Sequence, residues 1–305
     1  MRIDNGSLGT PDRPSDALWE VRMTPDKGRG LFALVDILRG RRLLVEDPLV
    51  TVMPPPVVPG VGFSIAALQP VVADAYARLT DSQQEAYLSC HEVRFGDEGK
   101  DETDNDGVYS SRLMRILRSN AYNTRDGRVA LYPDVALINH DCRPNVLNTD
   151  VLDPTTGVYR RVIVAARAIA AGDELVTTYI PLLADTATRR TRLAQYGFTC
   201  MCTSCAAASV HDDAERVHMQ HVLDELEEAA ALGPGSQERE LAFAHRAGKL
   251  AAYIAEHGFV DYAVRTSKLA AEFALRAGDT EASAHWAEVH HEDLEMAGDQ
   301  NEDGI

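Results

Sequence analysis

Three cysteines fall within six residues, Cys200-Met201-Cys202-Thr203-Ser204-Cys205, and this run restricts the fold more than any other stretch of the chain. Thiols packed this closely, in a chain with no secretion segment, point to metal ligation rather than to disulfides. A structural zinc takes four ligands at the corners of a tetrahedron, so the run is one ligand short. Of the two remaining cysteines, Cys142, 58 positions upstream of Cys200, is the natural fourth ligand, and Cys90 is its competitor. Either choice makes one ion staple together two segments that are distant in sequence.

The 305 residues predict roughly two domains, and a 45% hydrophobic share is enough for a sizeable core without disulfide help. No apolar run approaches the roughly 20 residues that a membrane helix needs, so no membrane partner is expected. Lys and Arg total 30 against 47 Asp and Glu, a formal charge of −17. Such a chain repels a phosphate backbone, which argues against direct nucleic-acid binding, and attracts basic proteins or peptides. Residues 1–16 are polar and lack the apolar centre of a signal peptide. They read as a flexible leader of an intracellular protein, cytoplasmic or nuclear.

Strand-like text, with turns at Gly28 and Gly30, runs to the break at Pro54–Pro56, and strands return from Val129 to Tyr179. The expected organisation is a β-rich half over 17–60 and 115–199, interrupted by a helical insert at 61–114. A cysteine module at 200–206 and an all-α region at 207–305 follow. Within the insert, helices are expected at Ser64–Leu79, from Asp81 or Ser82 onward, and at Ser111–Asn120. Ser82 and Glu85 have the spacing of a capping box. Gly96–Gly107 carries six acidic residues and one Lys and reads as a solvated loop. Beyond Asp212, Gly233-Pro234-Gly235, Gly258 and Gly278 separate four candidate antiparallel helices. His218 with His221, and His285 with His290 and His291, read as solvated helix faces. Cys90 beside His91 reads as a buried free thiol rather than a hydrolytic pair.

The segment Leu137-Ile138-Asn139-His140-Asp141-Cys142-Arg143-Pro144-Asn145 sets polar residues after an apolar stretch, and Pro144 forces Arg143 into extended geometry. Taken alone, His140 is a base, a ligand or a satisfied core histidine. Around it stand Lys27-Gly28-Arg29-Gly30-Leu31-Phe32, then Gly172-Asp173-Glu174-Leu175 running into Tyr179, then the cysteine run. In content and order these four motifs resemble the SET methyltransferase family over about Leu18 to Cys205. Tyr132-Pro133-Asp134-Val135-Ala136-Leu137 is most similar to the SET-and-MYND branch, in particular its fungal members. The chain departs from that branch in one respect: Pro54–Ser111 holds only Cys90 and His91, too few ligands for a MYND zinc finger.

The resemblance implies an α+β fold: a β-rich pseudoknotted core with a helical insert, a post-SET zinc module and an all-α C-terminal domain. It implies an S-adenosylmethionine-dependent protein-lysine methyltransferase acting on a protein or peptide that presents a lysine; the chain itself is expected to be a monomer. Lys27 and Arg29 match positions facing the cofactor carboxylate, with Gly28 and Gly30 allowing close approach. Asn139 matches the residue that holds the methionine amino group, and His140 one that meets the adenine through its backbone. Tyr196 and Phe198 match aromatic positions flanking the adenine or the substrate channel, while Asn120 and Tyr122 lie where relatives line the pocket. Tyr179 is the catalytic choice, aligning amine and methyl group. Cys142, Cys200, Cys202 and Cys205 would hold one structural Zn²⁺. Two rival readings are a SET scaffold that binds peptide without catalysis and a methyltransferase for a small-molecule amine.

Overall fold

The computed structural model describes residues 17–56, 65–94 and 108–297. The expected leader, and the acidic loop Gly96–Gly107, lie outside the described residues. Strand β1 (Trp19–Thr24) and β2 (Gly28–Ala33) form an antiparallel hairpin, followed by β3 (Arg42–Glu46) and β4 (Val50–Val52). The insert supplies helices α1 (Ile65–Ala77), α2 (Asp81–Ser89) and α3 (Val108–Asn120). Helix α2 starts at Asp81, but its capping box is Thr80 with Gln83 rather than Ser82 with Glu85. Thr80 N donates to Gln83 Oε1 at 3.0 Å, and Thr80 Oγ1 accepts from Gln83 N at 3.4 Å. Thr80 wins because its extended backbone, at ψ 162°, turns its hydroxyl onto the first free N–H groups of the helix.

The chain returns through β5 (Ala121–Asn123), β6 (Val129–Leu131), the two-residue β7 (Asn139–His140), β8 (Val146–Asp153), β9 (Val158–Ala165) and β10 (Val176–Thr177). Strands β8 and β9 form a hairpin closed by Asp153, whose Oδ1 accepts from Thr155 N at 2.8 Å, and by Gly157 at φ 67°. The sheets run β3-β9-β8 and β4-β6-β5, and β7 lies parallel to β10. Insert residues Leu68, Val72, Tyr87, Leu113 and Ile116 bury themselves against Val50, Val52 and Leu131 of the second sheet. The insert is thereby packed on the core rather than hanging from it.

After α4 (Thr186–Leu193) and the single turn α5 (Thr203–Ala206) come α6 (Val210–Leu232), α7 (Gln237–His257), α8 (Ala263–Ala277) and α9 (Thr280–Ala297). The expected glycines end three of them, Gly258 and Gly278 in the left-handed conformation that such a cap favours. Ala270, Ala271, Ala274 and Ala277 are buried along α8, so its neighbours can approach closely. This region shares its core with the preceding half. Leu223, Leu250, Ile254 and Phe273 pack in one cluster with Ile180, Leu182, Leu193 and three of the cysteines. Among the histidines read as solvated, His218, His221, His285 and His291 are exposed. His290 is not: it is 5% exposed, and its Nδ1 lies 3.2 Å from Ser267 Oγ, because α9 turns that side toward α8. No described helix is long and apolar enough to cross a membrane.

Candidate functional site

Four backbone pairings bring the separated motifs together. Leu175 N donates to Leu31 O at 2.8 Å and Ala33 N to Asp173 O at 2.9 Å, which sets Glu174 opposite Phe32. Asn139 and His140 pair with Val176 and Thr177. Asn145 then locks this junction with its side chain, Nδ2 donating to Glu174 O and Oδ1 accepting from Val176 N, both at 2.8 Å. Buried at 4% exposure, this amide serves both strands at once.

At the junction lies a polar cradle. Asn139 Nδ2 donates to Arg29 O at 3.0 Å and to Glu174 Oε1 at 2.8 Å. Lys27 Nζ donates to Glu174 Oε2 at 2.7 Å. With both amide hydrogens engaged, Asn139 keeps its Oδ1 as an acceptor suited to a cationic amino group. Lys27 has three ammonium hydrogens, so it can hold Glu174 and still reach an anion. The two glycines work differently. Gly28 is needed for its φ of 73° and has open space where a Cβ would point. Gly30 is needed for its missing Cβ, which would lie 2.8 Å from both Asn139 Nδ2 and Glu174 Oε1. The guanidinium of Arg29 crosses to the carbonyl of Ser89 at the end of α2. Asn120 points away into the insert, donating to His91 O and Ile116 O, both at 2.6 Å.

Beside the cradle an aromatic group assembles from three segments. The Tyr179 ring is centred 5.0 Å from Tyr196, 5.4 Å from His140 and 6.5 Å from Phe198. Tyr179 Oη donates to Ile138 O at 2.8 Å, leaving its lone pairs free, and burial holds its hydroxyl well above the usual tyrosine range. Tyr196 Oη donates to Tyr179 O at 3.5 Å. Burial pushes Tyr122 up to about 12, although the Arg161 guanidinium 4.6 Å over its ring opposes the rise. Burial also pushes His140 down to about 4, so the ring is neutral. Its Nδ1 accepts from Tyr179 N at 3.1 Å, which puts the ring proton on Nε2, 3.4 Å from Cys142 Sγ.

The sulfurs of Cys142, Cys200, Cys202 and Cys205 lie within 4.8 Å of one another. Four thiolates about 2.3 Å from one zinc stand about 3.8 Å apart. Cys142 and Cys205 are 3.6 Å apart, so the donor set fits a single tetrahedral ion. Cys90 is outside this group: its thiol faces Ala86 O at 3.5 Å, and burial raises it to about 11. The sequence favours Cys142 over Cys90 as the fourth ligand, and the fold brings Cys142 to the other three sulfurs.

Sequence reasoning passed over Glu174 as a site residue, although it sits inside a motif already noticed; its contacts to Lys27 and Asn139 depend on strand register. Alongside these groups, a groove of about 830 Å³ runs between the β-rich half and the helical region. Lys27, Asp141 and Arg143 line one wall, and Ile254, Trp286 and Met296 the other.

A chain with these converging motifs, this cradle and a four-cysteine cluster belongs to the SET domain family, whose model matches residues 28–180. Among characterised proteins, N-lysine methyltransferase SMYD2-B of Danio rerio is 38% identical over 125 residues, covering 38% of this chain and 26% of the relative. Histone-lysine N-methyltransferase set5 of Schizosaccharomyces pombe is 27% identical over 195 residues, covering 62% of this chain and 50% of the relative. Human N-lysine methyltransferase SMYD2 is 37% identical over 111 residues, covering 33% of this chain and 23% of the relative. The chain thus matches between 23% and 50% of the length of these relatives.

Proposed function

We propose that this protein is an S-adenosylmethionine-dependent protein-lysine N-methyltransferase. The observation that carries the reading is the convergence of Asn139, Lys27 and Glu174 in one cradle with the Tyr179 hydroxyl beside it. When bound, S-adenosylmethionine supplies an electrophilic methyl group on a sulfonium. Lys27 would hold its carboxylate, a charge-assisted contact, and the Asn139 carbonyl its amino group. Arg29, His140 and Phe198 would line the remainder of that site, with Gly28 and Gly30 allowing the close approach.

Tyr179 would work by position. Its hydroxyl is fixed on Ile138 O and stays protonated through the neutral range, so its lone pairs can orient an incoming amine and the methyl hydrogens. Lysine in water has a pKa of about 10.4, and the apolar faces of Tyr196 and Phe198 favour its neutral form by excluding water. Alignment of this kind supplies a large share of barrier reduction in displacement reactions. Zinc held by four cysteines has no open position and would act as a staple between the His140 segment and the residues following Phe198. Under this reading 17–60 and 115–199 form the catalytic core, 61–114 its insert, 200–206 the zinc module, and 207–305 a helical domain walling the groove. The formal charge of −17 favours a basic protein substrate.

The test is calorimetric binding of S-adenosylmethionine to protein of checked zinc content, comparing wild type with Asn139→Ala. It is followed by methyl transfer to a panel of lysine peptides and small amines. One-to-one binding that Asn139→Ala loses, with transfer to peptides, is the expected result. Binding without any transfer supports the peptide-binding scaffold instead, and transfer only to small amines changes the substrate class.

A further inference from the structure

Arg189 is 1% exposed, and it stands beside thiols rather than in a close ion pair. Its Nη2 donates to Thr186 Oγ1 at 2.9 Å and lies 3.7 Å from Cys205 Sγ. Its Nη1 donates to the Ala184 carbonyl. Its Nε is buried with no acceptor among the described residues. Asp213 stands 3.8 Å away, and Asp213 Oδ1 already accepts from Thr186 N at 2.9 Å and from Thr186 Oγ1 at 2.8 Å. A buried guanidinium with so distant a carboxylate is strongly unfavourable unless another anion compensates it.

The cysteine cluster presents the converse problem. Cys142, Cys200 and Cys205 are 0%, 3% and 4% exposed. Four thiolates around one Zn²⁺ carry a net charge of about −2. A buried anionic centre and a buried cation therefore face each other across the Arg189–Cys205 contact, each satisfying what the other lacks. His140 adds a second donor, its Nε2–H 3.4 Å from Cys142 Sγ. The neighbouring Arg190 contrasts with Arg189: it holds the same loop through the carbonyls of Cys200 and Cys205, at 3.4 and 3.2 Å, and through the Met201 thioether.

We propose that Arg189 is the counter-charge of the zinc–thiolate centre, and that through Thr186 and Asp213 it couples metal occupancy to the seating of α6. The inference rests on the reading that the four cysteines take zinc. Asp213 lies in the first turn of α6, and Arg216, one turn further on, donates to Leu182 O at 3.1 Å beneath the same cluster. Metal loss would leave the guanidinium with only the Asp213 carboxylate, 3.8 Å away, as counter-charge at the point where the helical region meets the core.

The experiment measures zinc affinity of the full chain by competition with a chromophoric chelator, for wild type, Arg189→Met, Arg189→Lys and Arg190→Met. Loss of an outer group that orients and neutralises ligands weakens metal binding about 10- to 100-fold, the effect expected for Arg189→Met. Arg189→Lys, which keeps the charge and loses the fork, recovers part of it, while Arg190→Met, which loosens the loop carbonyls without uncovering the sulfurs, weakens binding less than Arg189→Met. Hydrogen exchange over 210–216 should rise on chelation of wild type. Should Arg189→Met fail to fold, cadmium-113-substituted wild type decides. A through-bond correlation between an Arg189 guanidinium proton and the metal supports the proposal, and its absence with those protons assigned overturns it. Folded Arg189→Met with wild-type zinc affinity overturns this inference alone; wild type that takes up no zinc overturns the zinc reading and the inference with it.

Discussion

Replacing Gly30 by alanine perturbs the cradle without removing any of its polar groups. Gly30 lies in β2 at a backbone angle that any residue adopts, so an added methyl group meets no conformational penalty and should rigidify the strand slightly. The Cβ would sit 2.8 Å from Asn139 Nδ2 and from Glu174 Oε1, well inside contact distance, so both side-chain ends must move. Moving them breaks the Asn139–Glu174 bond of 2.8 Å and the Asn139–Arg29 bond of 3.0 Å. A bond to a charged group contributes about 1.5–3 kcal/mol and a neutral one about 0.5–1.5 kcal/mol. Asn139 is partly exposed, so water recovers a portion, and about 1–2 kcal/mol of cofactor binding should be lost. That corresponds to roughly 5- to 30-fold weaker affinity for S-adenosylmethionine, read by titration calorimetry. The melting temperature should stay within about 3 °C of wild type. Unchanged affinity in a folded Gly30→Ala protein would refute the placement of the cofactor in this cradle.

Tyr179→Phe removes the hydroxyl fixed on Ile138 O; methyl transfer in single turnover should fall at least about 100-fold, with cofactor affinity within about threefold. Cys205→Ser removes one of four converging sulfurs. It should lower bound zinc measured by mass spectrometry and reduce the melting temperature by about 10 °C or more, since structural zinc contributes folding energy directly. Burial raises the Glu46 carboxyl from 4.5 to about 7, with the N–H groups of Asp134 and Val135 opposing the rise. Because the folded value exceeds the unfolded one, its stabilising contribution is complete below pH 4.5 and is lost as pH rises through about 7. Glu46→Gln should therefore show a smaller fall in urea midpoint between about pH 5 and pH 8 than wild type. Thr80→Ala removes the α2 cap and should cost about 1 kcal/mol in chemical denaturation.

Much of the secondary structure was legible because its signals are local. Gly258 and Gly278 end α7 and α8 where the sequence places breaks between helices, and the Asp153–Gly157 turn closes β8 onto β9. The exception, the cap of α2, was also local. Ser82 with Glu85 and Thr80 with Gln83 share one spacing, and the backbone angle at the helix entrance chooses between them.

The sequence by itself determined which chemistry is present: a thiol cluster, two glycine-bearing motifs, an asparagine–histidine pair and a tyrosine, in a fixed order along the chain. It also determined that the segment between Pro54 and Ser111, with only Cys90 and His91, lacks the ligands for a MYND finger there. Tertiary structure alone decided how these groups meet. Glu174 joins Lys27 and Asn139 because β2 runs antiparallel past Asp173–Leu175 with Phe32 opposite Glu174, and a shift by one residue would turn that carboxylate to the other face. Likewise, Cys142 and not Cys90 completes the sulfur cluster, and Arg189 faces it from the core. Residue type and spacing are properties of the chain, but the charge that a buried group faces depends on segments far apart in sequence, and those meet only through pairing and packing.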